Sequence, residues 1–267
     1  MSAILGKQLT QTRRAHGRPA EERIANNPTS ELWGEHRSRY RFACRDVAGL
    51  RVLDIACGAG FGFHMLRRAG ARVSGFDLDA EALSKAWGAG PHAPLAQADA
   101  ACLPVPDAAV DLVVSFETIE HVPDAAAVAA EFRRVLRPSG RLVLSTPNRL
   151  FRSPERHHQN PFHVREFSGG ELIDLLLPRF ESVTIYGQWV DAHYRHVPFL
   201  MIDGRADPGT LVWKALNRLP FAVKEGLARA LTGRPFYPGE ADYQLIAGEW
   251  EGAHALLAVA SNPRMQS

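Results

Sequence analysis

The chain has 267 residues, of which 46% are hydrophobic and 22% are charged, and its 31 basic and 29 acidic side chains leave a formal net charge of +2. At about 150 residues per domain, this length predicts one large α/β domain or one domain with a substantial insertion. The composition excludes a mostly disordered, collagen-like or coiled-coil protein. The balanced charge speaks against nucleic acid or an anionic membrane as a partner.

The cysteines and the hydropathy pattern indicate the compartment. Cys44, Cys57 and Cys102 lack paired spacing, so neither a disulfide framework nor a zinc site is indicated, and a reducing compartment is expected. No run of about 18 apolar residues is present, and the first residues lack the apolar stretch of a secretion signal. The sequence therefore predicts a soluble, cytoplasmic protein with no membrane partner.

The first 45 residues are predicted to form an arm and a helix. Residues 1–30 are polar and contain prolines, which is typical of a flexible arm. Apolar and aromatic residues then recur at helical spacing and predict an amphipathic helix over 31–43. Trp33 and Tyr40 on this helix either close over a ligand or pack in the core.

Strand and helix patterns alternate through the middle of the chain. Four apolar runs are predicted as strands, at residues 51–56, 72–77, 111–117 and 141–146. Segments of helical character follow the first three runs, at 61–69, 80–87 and 125–136. Apolar strands that alternate with helices indicate a parallel, doubly wound α/β sheet.

The last part of the chain predicts a helix at 171–177 and strands at 182–187 and 254–261. About 60 residues separate these two strands, far more than a hairpin needs. They include two amphipathic segments, 211–219 and 222–231. The sequence therefore predicts three parts: the arm and helix at 1–45, one α/β domain from 46–189 and 250–267, and a helical insertion at 190–249 that serves as a lid or as the contact of a homodimer.

A glycine-rich turn follows the first predicted strand. Gly58, Gly60 and Gly62 in D-I-A-C-G-A-G-F-G let a ligand approach the backbone, and the next helix offers unpaired N–H groups and the positive end of its dipole. The turn therefore suits a nucleoside or dinucleotide ligand, or alternatively serves only tight packing of a strand against a helix.

Acidic residues end the next two strands. Asp77 stands where a carboxylate accepts hydrogen bonds from ribose hydroxyls, and Asp99 ends a predicted third strand where it can accept one from an adenine amine. Each aspartate alone also fits a helix cap or a turn. Their order on successive strand ends favours a nucleoside site.

With these motifs, the chain resembles the class I S-adenosylmethionine-dependent methyltransferases over about residues 50–185. The resemblance rests on V-L-D-I-A-C-G-A-G, G-F-D-L-D, A-D-A-A-C-L-P-V-P and F-R-R-V-L-R-P-S-G-R-L-V-L-S-T-P-N. It implies a Rossmann-like, mostly parallel sheet of seven strands whose last strand is antiparallel. It also implies that S-adenosylmethionine is bound by residues of the three loops, namely Asp54, Ala56, Gly58, Gly60, Asp77, Leu78, Asp99 and Ala100.

One departure and one competing family bear on this resemblance. Ala56 stands where many family members have the first glycine of the loop, and its methyl group is small enough to leave the site open. A NAD-dependent dehydrogenase would need the pattern G-x-G-x-x-G, but Phe63 stands at the position of the last glycine. The sequence therefore favours the methyltransferase over the dehydrogenase.

A second group of polar residues, E-T-I-E-H, comes directly after the fourth predicted strand. Ligands of open α/β sheets bind beyond the carboxyl ends of the strands, and a helical turn would bring Glu117, Glu120 and His121 to one face. His121 then acts as a general base beside Glu117, or the three residues hold a divalent metal with His163 as the fourth ligand. A purely structural role in shaping the pocket is the third interpretation.

The E-x-x-E-H pattern with a distant histidine resembles metal-dependent O-methyltransferases that modify small-RNA 3′ ends, and its first part resembles quinone-pathway O-methyltransferases. His157 and His158 lie near His163 in the same predicted loop. Magnesium or manganese is the expected ion, and carboxylates with imidazoles suit manganese, iron(II) or cobalt better than magnesium.

The segments E-H-R-S-R-Y-R-F-A and N-P-F-H-V-R-E-F-S-G-G-E-L resemble methyltransferases of bacterial sugar and natural-product pathways. The predicted function is O-methylation of a hydroxyl on a small molecule or glycan in biosynthesis, by in-line attack on the sulfonium methyl group. The alternatives are a small-RNA ribose 2′-O-methyltransferase and a catalytically silent scaffold that only binds the cofactor.

Overall fold

A computed structural model describes residues 33–87, 94–152, 162–194 and 219–264. The predicted arm at 1–30, the histidines His157 and His158, and residues 211–218 of a predicted helix lie outside these ranges.

Eight strands form one mixed sheet in the described ranges. They are β1 (Arg51–Ile55), β2 (Arg72–Asp77), β3 (Leu95–Gln97), β4 (Val110–Phe116), β5 (Leu136–Pro147), β6 (Phe180–Val190), β7 (Tyr243–Ala247) and β8 (Ala255–Pro263). The order across the sheet is β3-β2-β1-β4-β5-β8-β6-β7. The first five strands pair in parallel, and β8 runs antiparallel between β5 and β6. The doubly wound α/β fold and the antiparallel last strand are thus confirmed.

The predicted number of strands, seven, is wrong. The additional strand β7 pairs antiparallel with β6 from Tyr186↔Ala247 to Val190↔Tyr243. It falls inside residues 190–249, which the sequence predicted as a helical insertion. The sheet order shows the reason: β8 occupies one edge of β6, and the opposite edge is open to a further short strand.

Helices cover both faces of the sheet. They are α1 (Trp33–Ala43), α2 (Phe61–Arg68), α3 (Ala80–Trp87), α4 (Ala125–Val135), α5 (Arg149–Arg152), α6 (Gly169–Leu176) and α7 (Phe221–Thr232). The Asp124 side chain caps α4 by accepting a hydrogen bond from the Ala127 amide, and Ser168 and Glu171 form a capping box at α6. These are the side chains that satisfy the otherwise unpaired amides of a first helical turn.

Two hydrophobic cores lie on opposite faces of the sheet, and β4 contributes to both. Val113 packs in the core under α4 and α6, whereas Leu112 and Val114 pack in the core under α1, α2 and α3. A strand buried on both faces is mostly apolar, and β4 is apolar at five of its seven positions. Its carboxyl end is therefore held from both sides, which fixes the polar residues that follow it.

Within the described ranges, no helix has the length and apolar character needed to cross a membrane.

Candidate active site

The glycine turn adopts the backbone conformation that its sequence suggests. Gly58 and Gly60 have φ of 54° and 80°, in the left-handed region that favours glycine. A β-carbon at Gly60 would also come within 2.8 Å of the Ala86 β-carbon. Ala56 has φ of 59°, so this alanine adopts the same region at a cost of about 1–2 kcal/mol.

The end of β2 is tied directly to this turn. The Gly58 amide donates to Asp77 Oδ2 at 2.8 Å, and the Asp79 amide donates to Asp77 Oδ1 at 2.8 Å. Leu78 beside it is 42% exposed. Asp77 therefore already holds the turn in place, and each of its oxygens keeps a second lone pair for a ligand hydroxyl.

The end of β3 reaches the same edge of the sheet. The Ala98 amide donates to the Asp77 carbonyl at 3.1 Å, which places the two strand ends side by side. The Asp99 side chain accepts from the Ala101 amide at 2.9 Å and lies at the surface next to Ala100. Asp99 thus forms a local turn, which is one of the two roles that the sequence predicts for it. It also lies at the edge of the sheet where the sequence predicts a nucleoside site.

Asp54 lies beneath the glycine turn. Its side chain is fully buried and accepts a hydrogen bond from the Tyr40 hydroxyl at 3.0 Å. The Tyr40 ring covers Gly62, where a β-carbon would overlap it. Burial raises the pKa of Asp54 to about 7, although the Tyr40 hydroxyl opposes the rise. Tyr40 is therefore a core residue that supports the turn from below.

The raised pKa of Asp54 predicts an unusual dependence of stability on pH. Because folding raises this pKa from 3.8 to about 7, the stabilisation from the protonated form is complete below pH 3.8 and is lost as the pH rises to about 7. Relative to Asp54→Asn, the wild type should lose about 1.4 kcal/mol of unfolding free energy per pH unit in this window. Urea denaturation of both proteins at several pH values measures the difference. Parallel pH profiles would contradict the assignment.

Glu117 is held by α1 and does not join the other residues of E-T-I-E-H. Its Oε1 accepts from Arg39 Nη1 at 2.6 Å and from the Ser145 hydroxyl at 3.0 Å. Burial disfavours the charged carboxylate, but Arg39 outweighs it and lowers the pKa of Glu117 to about 2. The predicted role of Glu117 as a metal ligand is therefore not supported by its position, and a carboxylate of such low pKa takes up no proton near neutral pH.

Arg39 is the centre of a buried polar network that connects α1 with three strands. Its guanidinium also contacts the Glu35 carboxylate and donates to Gln188 Oε1 at 2.6 Å. The side chain is only 1% exposed. Arg39 thus neutralises the charges that Glu35 and Glu117 would otherwise leave buried.

Three of the four predicted metal ligands do come together. Glu120, His121 and His163 each offer one ligand atom, and these atoms lie within 4.8 Å of one another. Glu120 and His121 are placed by a 3-10 turn, Ile119–His121, directly after β4. The buried Glu120 accepts from the Thr146 hydroxyl at 3.0 Å, and its Oε1 lies 3.7 Å from His121 Nε2.

Hydrogen bonds at Nδ1 orient both imidazoles. His121 Nδ1 lies 3.0 Å from the Phe162 carbonyl oxygen, and His163 Nδ1 lies 2.7 Å from Glu166 Oε1. A neutral imidazole that donates from Nδ1 carries its lone pair on Nε2. A carboxylate or carbonyl behind each histidine is the arrangement that surrounds protein-bound metals.

The loop that carries His163 is held against the 3-10 turn by main-chain hydrogen bonds. The amides of Val164 and Arg165 both donate to the Glu120 carbonyl, at 2.8 and 3.1 Å. The two imidazole rings pack at 4.8 Å between centroids. Arg39 and Glu166 were not predicted as site residues. The signal that could have indicated Glu166 is its position three residues after His163, a candidate ligand.

A family model described as a methyltransferase domain matches residues 53–144. The chain is 43% identical over 227 residues to a probable S-adenosylmethionine-dependent methyltransferase of Mycobacterium tuberculosis, with 79% of this chain and 77% of that protein covered. A protein of the same description in Mycolicibacterium smegmatis is 40% identical over 142 residues, which are 53% of this chain and 55% of that relative. The chain thus spans about half the length of the second relative.

A ubiquinone biosynthesis O-methyltransferase of Aromatoleum aromaticum is 36% identical over 138 residues, covering 50% of this chain and 55% of that enzyme. Among solved structures, an S-adenosylmethionine-dependent methyltransferase of Thermotoga maritima superposes with a TM-score of 0.57 at 17% identity, with 85% of this chain and 89% of that chain covered. At this identity the likeness concerns the fold alone.

Proposed function

The chain belongs to the S-adenosylmethionine-dependent methyltransferases, and on that premise we propose that it methylates a hydroxyl oxygen of a small molecule or sugar with the help of a divalent metal ion. The observation that carries the proposal is the convergence of Glu120, His121 and His163 just beyond the carboxyl end of β4. Ligands of open α/β sheets bind at this edge. The name of the Aromatoleum relative supports an oxygen acceptor.

The cofactor end of the site supports a nucleoside that lies across three strand ends. S-adenosylmethionine, when bound, supplies a methyl group on a positively charged sulfur that is already a good leaving group. The chain contributes positioning, which is the main requirement for such a transfer. Gly58 and Gly60 admit the ligand to the backbone, Asp77 offers acceptor oxygens for ribose hydroxyls, and Leu78 offers an exposed apolar surface.

The metal would be held by one Glu120 oxygen and by Nε2 of His121 and His163. When bound, it would lower the pKa of the acceptor hydroxyl and so make its oxygen a better nucleophile. Glu166 and the Phe162 carbonyl hold the Nδ1 protons, so Nε2 is the nitrogen through which each imidazole would bind the metal. Two imidazoles and one carboxylate suit manganese, iron(II) or cobalt better than magnesium.

A metal-free alternative uses His121 alone as the general base. The hydrogen bond from Nδ1 to Phe162 makes Nε2 the basic nitrogen, as that role requires. However, Nε2 lies 3.7 Å from Glu120 Oε1, and the ring packs against His163. This geometry favours a metal ion bound by all three side chains over proton transfer by His121 alone.

Transfer of a labelled methyl group tests the proposal. Purified protein is incubated with methyl-labelled S-adenosylmethionine and a panel of phenols, sugars and a short RNA, before and after treatment with a chelator. We expect labelling of hydroxyl-bearing small molecules, loss of labelling after chelation and recovery with Mn²⁺. Full activity in chelator would contradict the metal, and labelling of RNA alone would contradict the acceptor class.

A further inference from the structure

The amino-terminal ends of β1 and β2 lie at the edge of the sheet opposite the candidate active site. β1 begins at Arg51 and β2 at Arg72, and these two residues are register partners on neighbouring parallel strands. Gly58 follows the other end of β1, and Asp77 is the other end of β2. Since a strand rises about 3.3 Å per residue, the two edges are about 20 Å apart. A ligand at one edge therefore leaves the other edge accessible.

Two segments of the chain, 44–51 and 67–72, meet at this amino-terminal edge. The Gly49 amide donates to the Gly70 carbonyl at 2.9 Å, and the Arg72 amide donates to the Leu50 carbonyl at 2.8 Å. Together the two segments contain five arginines and one aspartate, a net charge of +4, whereas the whole chain has +2. The balanced total, which speaks against an anionic partner, thus conceals a strongly basic surface.

The five arginines are exposed, and we call them the arginine edge: Arg45, Arg51, Arg67, Arg68 and Arg72. Within the described part of the chain, the side chains of Arg68 and Arg72 form no ion pair or hydrogen bond. The guanidiniums of Arg45 and Arg67 lie over the rings of Phe42 and Phe63, at 5.0 and 5.7 Å from the centroids. An aromatic ring does not neutralise a positive charge, so most of the charge of the arginine edge remains.

The requirements of the fold explain only part of the arginine edge. Arginines in the last turn of a helix complement its dipole, which accounts for Arg67 and Arg68 at the end of α2. Arg51 and Arg72, however, stand at facing positions of neighbouring strands, where like charges repel. Asp111 lies 3.9 Å from Arg51 but pairs more closely with Arg137, at 2.6 Å. The pair of arginines at the strand starts therefore costs stability rather than adding to it.

Small residues lie between the arginines. Apart from the arginines and Asp46, the exposed residues of the two segments are Ala48, Gly49 and Gly70. A β-carbon built on Gly49 meets nothing within 4 Å. No bulky exposed side chain in the two segments therefore keeps an anionic surface away from the guanidiniums.

We propose that the arginine edge docks the protein on a membrane surface rich in anionic phospholipids, with the active-site edge turned towards the water. Guanidinium groups match the oxygens of a phosphate. The two segments contain no aromatic side chain on which a nucleic-acid base could stack, and a lipid headgroup needs none. Each basic residue near an anionic membrane strengthens binding about fivefold, so the contact is weak, reversible and sensitive to salt.

Co-sedimentation of the full chain with lipid vesicles tests the proposal. The protein should bind vesicles with about one third phosphatidylglycerol far better than vesicles of phosphatidylcholine alone, since charge drives the contact. Raising the salt from about 0.1 to 1 M shortens the Debye length from about 10 to 3 Å and should release the protein. Vesicle-bound protein should bind S-adenosylhomocysteine with an unchanged dissociation constant, because the glycine turn lies at the opposite edge.

The double variant Arg68→Gln with Arg72→Gln should bind the anionic vesicles about 25-fold more weakly than the wild type, at about fivefold per charge. Its midpoint of thermal unfolding should stay close to that of the wild type, because neither side chain has a hydrogen bond or an ion pair in the described ranges. The matched control is Arg229→Gln with Arg234→Gln, which removes the same charge from the segment between β6 and β7. This control should bind the vesicles like the wild type.

Three results would overturn the proposal. The first is a wild type that shows no preference for anionic vesicles, and the second is equal binding by the two double variants. The third is binding of a short RNA or DNA duplex, weakened by Arg68→Gln with Arg72→Gln, in a protein that does not bind the vesicles.

Discussion

Replacing His121 with alanine is expected to lower kcat by about a hundredfold to ten-thousandfold. The loss follows whether His121 is a metal ligand or the base that takes the acceptor proton, because both roles need its Nε2 at the carboxyl end of β4. Steady-state kinetics at saturating cofactor measure the loss. The dissociation constant of the cofactor, measured by calorimetry, should stay within about tenfold of the wild type, since His121 follows β4 whereas the glycine turn follows β1.

His163→Ala separates the two roles. If the two histidines share a metal, this variant loses activity about as severely as His121→Ala, and excess Mn²⁺ partly restores it. If His121 acts alone as a base, His163→Ala costs little. The control is His193→Ala, at an exposed histidine beyond β6. An active His163→Ala protein with an unchanged requirement for metal would rule out His163 as a ligand.

The largest loss of stability is expected for Arg39→Met. Removing the guanidinium leaves Glu35 and Glu117 buried without their shared cation, which should lower the unfolding free energy by about 3–5 kcal/mol. Methionine keeps the length and apolar character of the stem, so the loss reports mainly on charge. Urea denaturation near neutral pH measures it. The matched control is Arg37→Met, because Arg37 pairs with Glu240 while 37% exposed, and such a pair contributes at most about 1 kcal/mol.

The pH dependence of the Arg39→Met effect follows from Glu117. Folding lowers the pKa of Glu117 from 4.5 to about 2 through Arg39, so this stabilisation is present above pH 4.5 and is lost as the pH falls to about 2. The difference between wild type and Arg39→Met should therefore shrink on acidification below pH 4.5. An equal difference at pH 7 and pH 3 would show that Arg39 acts through packing alone.

The central sheet could be predicted from the sequence because its signals are local. The strands β1 and β2 are short runs rich in apolar residues, with Gly58 shortly after β1 and Asp77 at the end of β2. Buried parallel strands leave little choice of register or face. The positions of Glu120 and His121 at the edge of the sheet could be predicted for the same reason, because both residues come shortly after β4.

The remaining features depend on contacts between distant residues. Arg39 meets Glu117 across 78 residues and Gln188 across 149, so no local pattern could pair them. Glu117 was predicted to face Glu120, but its φ of 50° breaks the helical turn on which that prediction depended. Strand β7 was missed because it pairs with the edge of β6 opposite β8, and a pairing between segments distant in the chain leaves no local pattern.

Calorimetric titration of Mn²⁺ into metal-stripped protein saturated with S-adenosylhomocysteine tests the central claim most directly, because it needs no knowledge of the acceptor. The account predicts one ion bound per chain, and a dissociation constant at least about tenfold higher for Glu120→Gln, which keeps the shape of the side chain but removes its charge. Glu117→Gln should bind Mn²⁺ like the wild type. The absence of Mn²⁺ binding to the wild type, or equal binding by wild type and Glu120→Gln, would contradict a metal site at Glu120, His121 and His163.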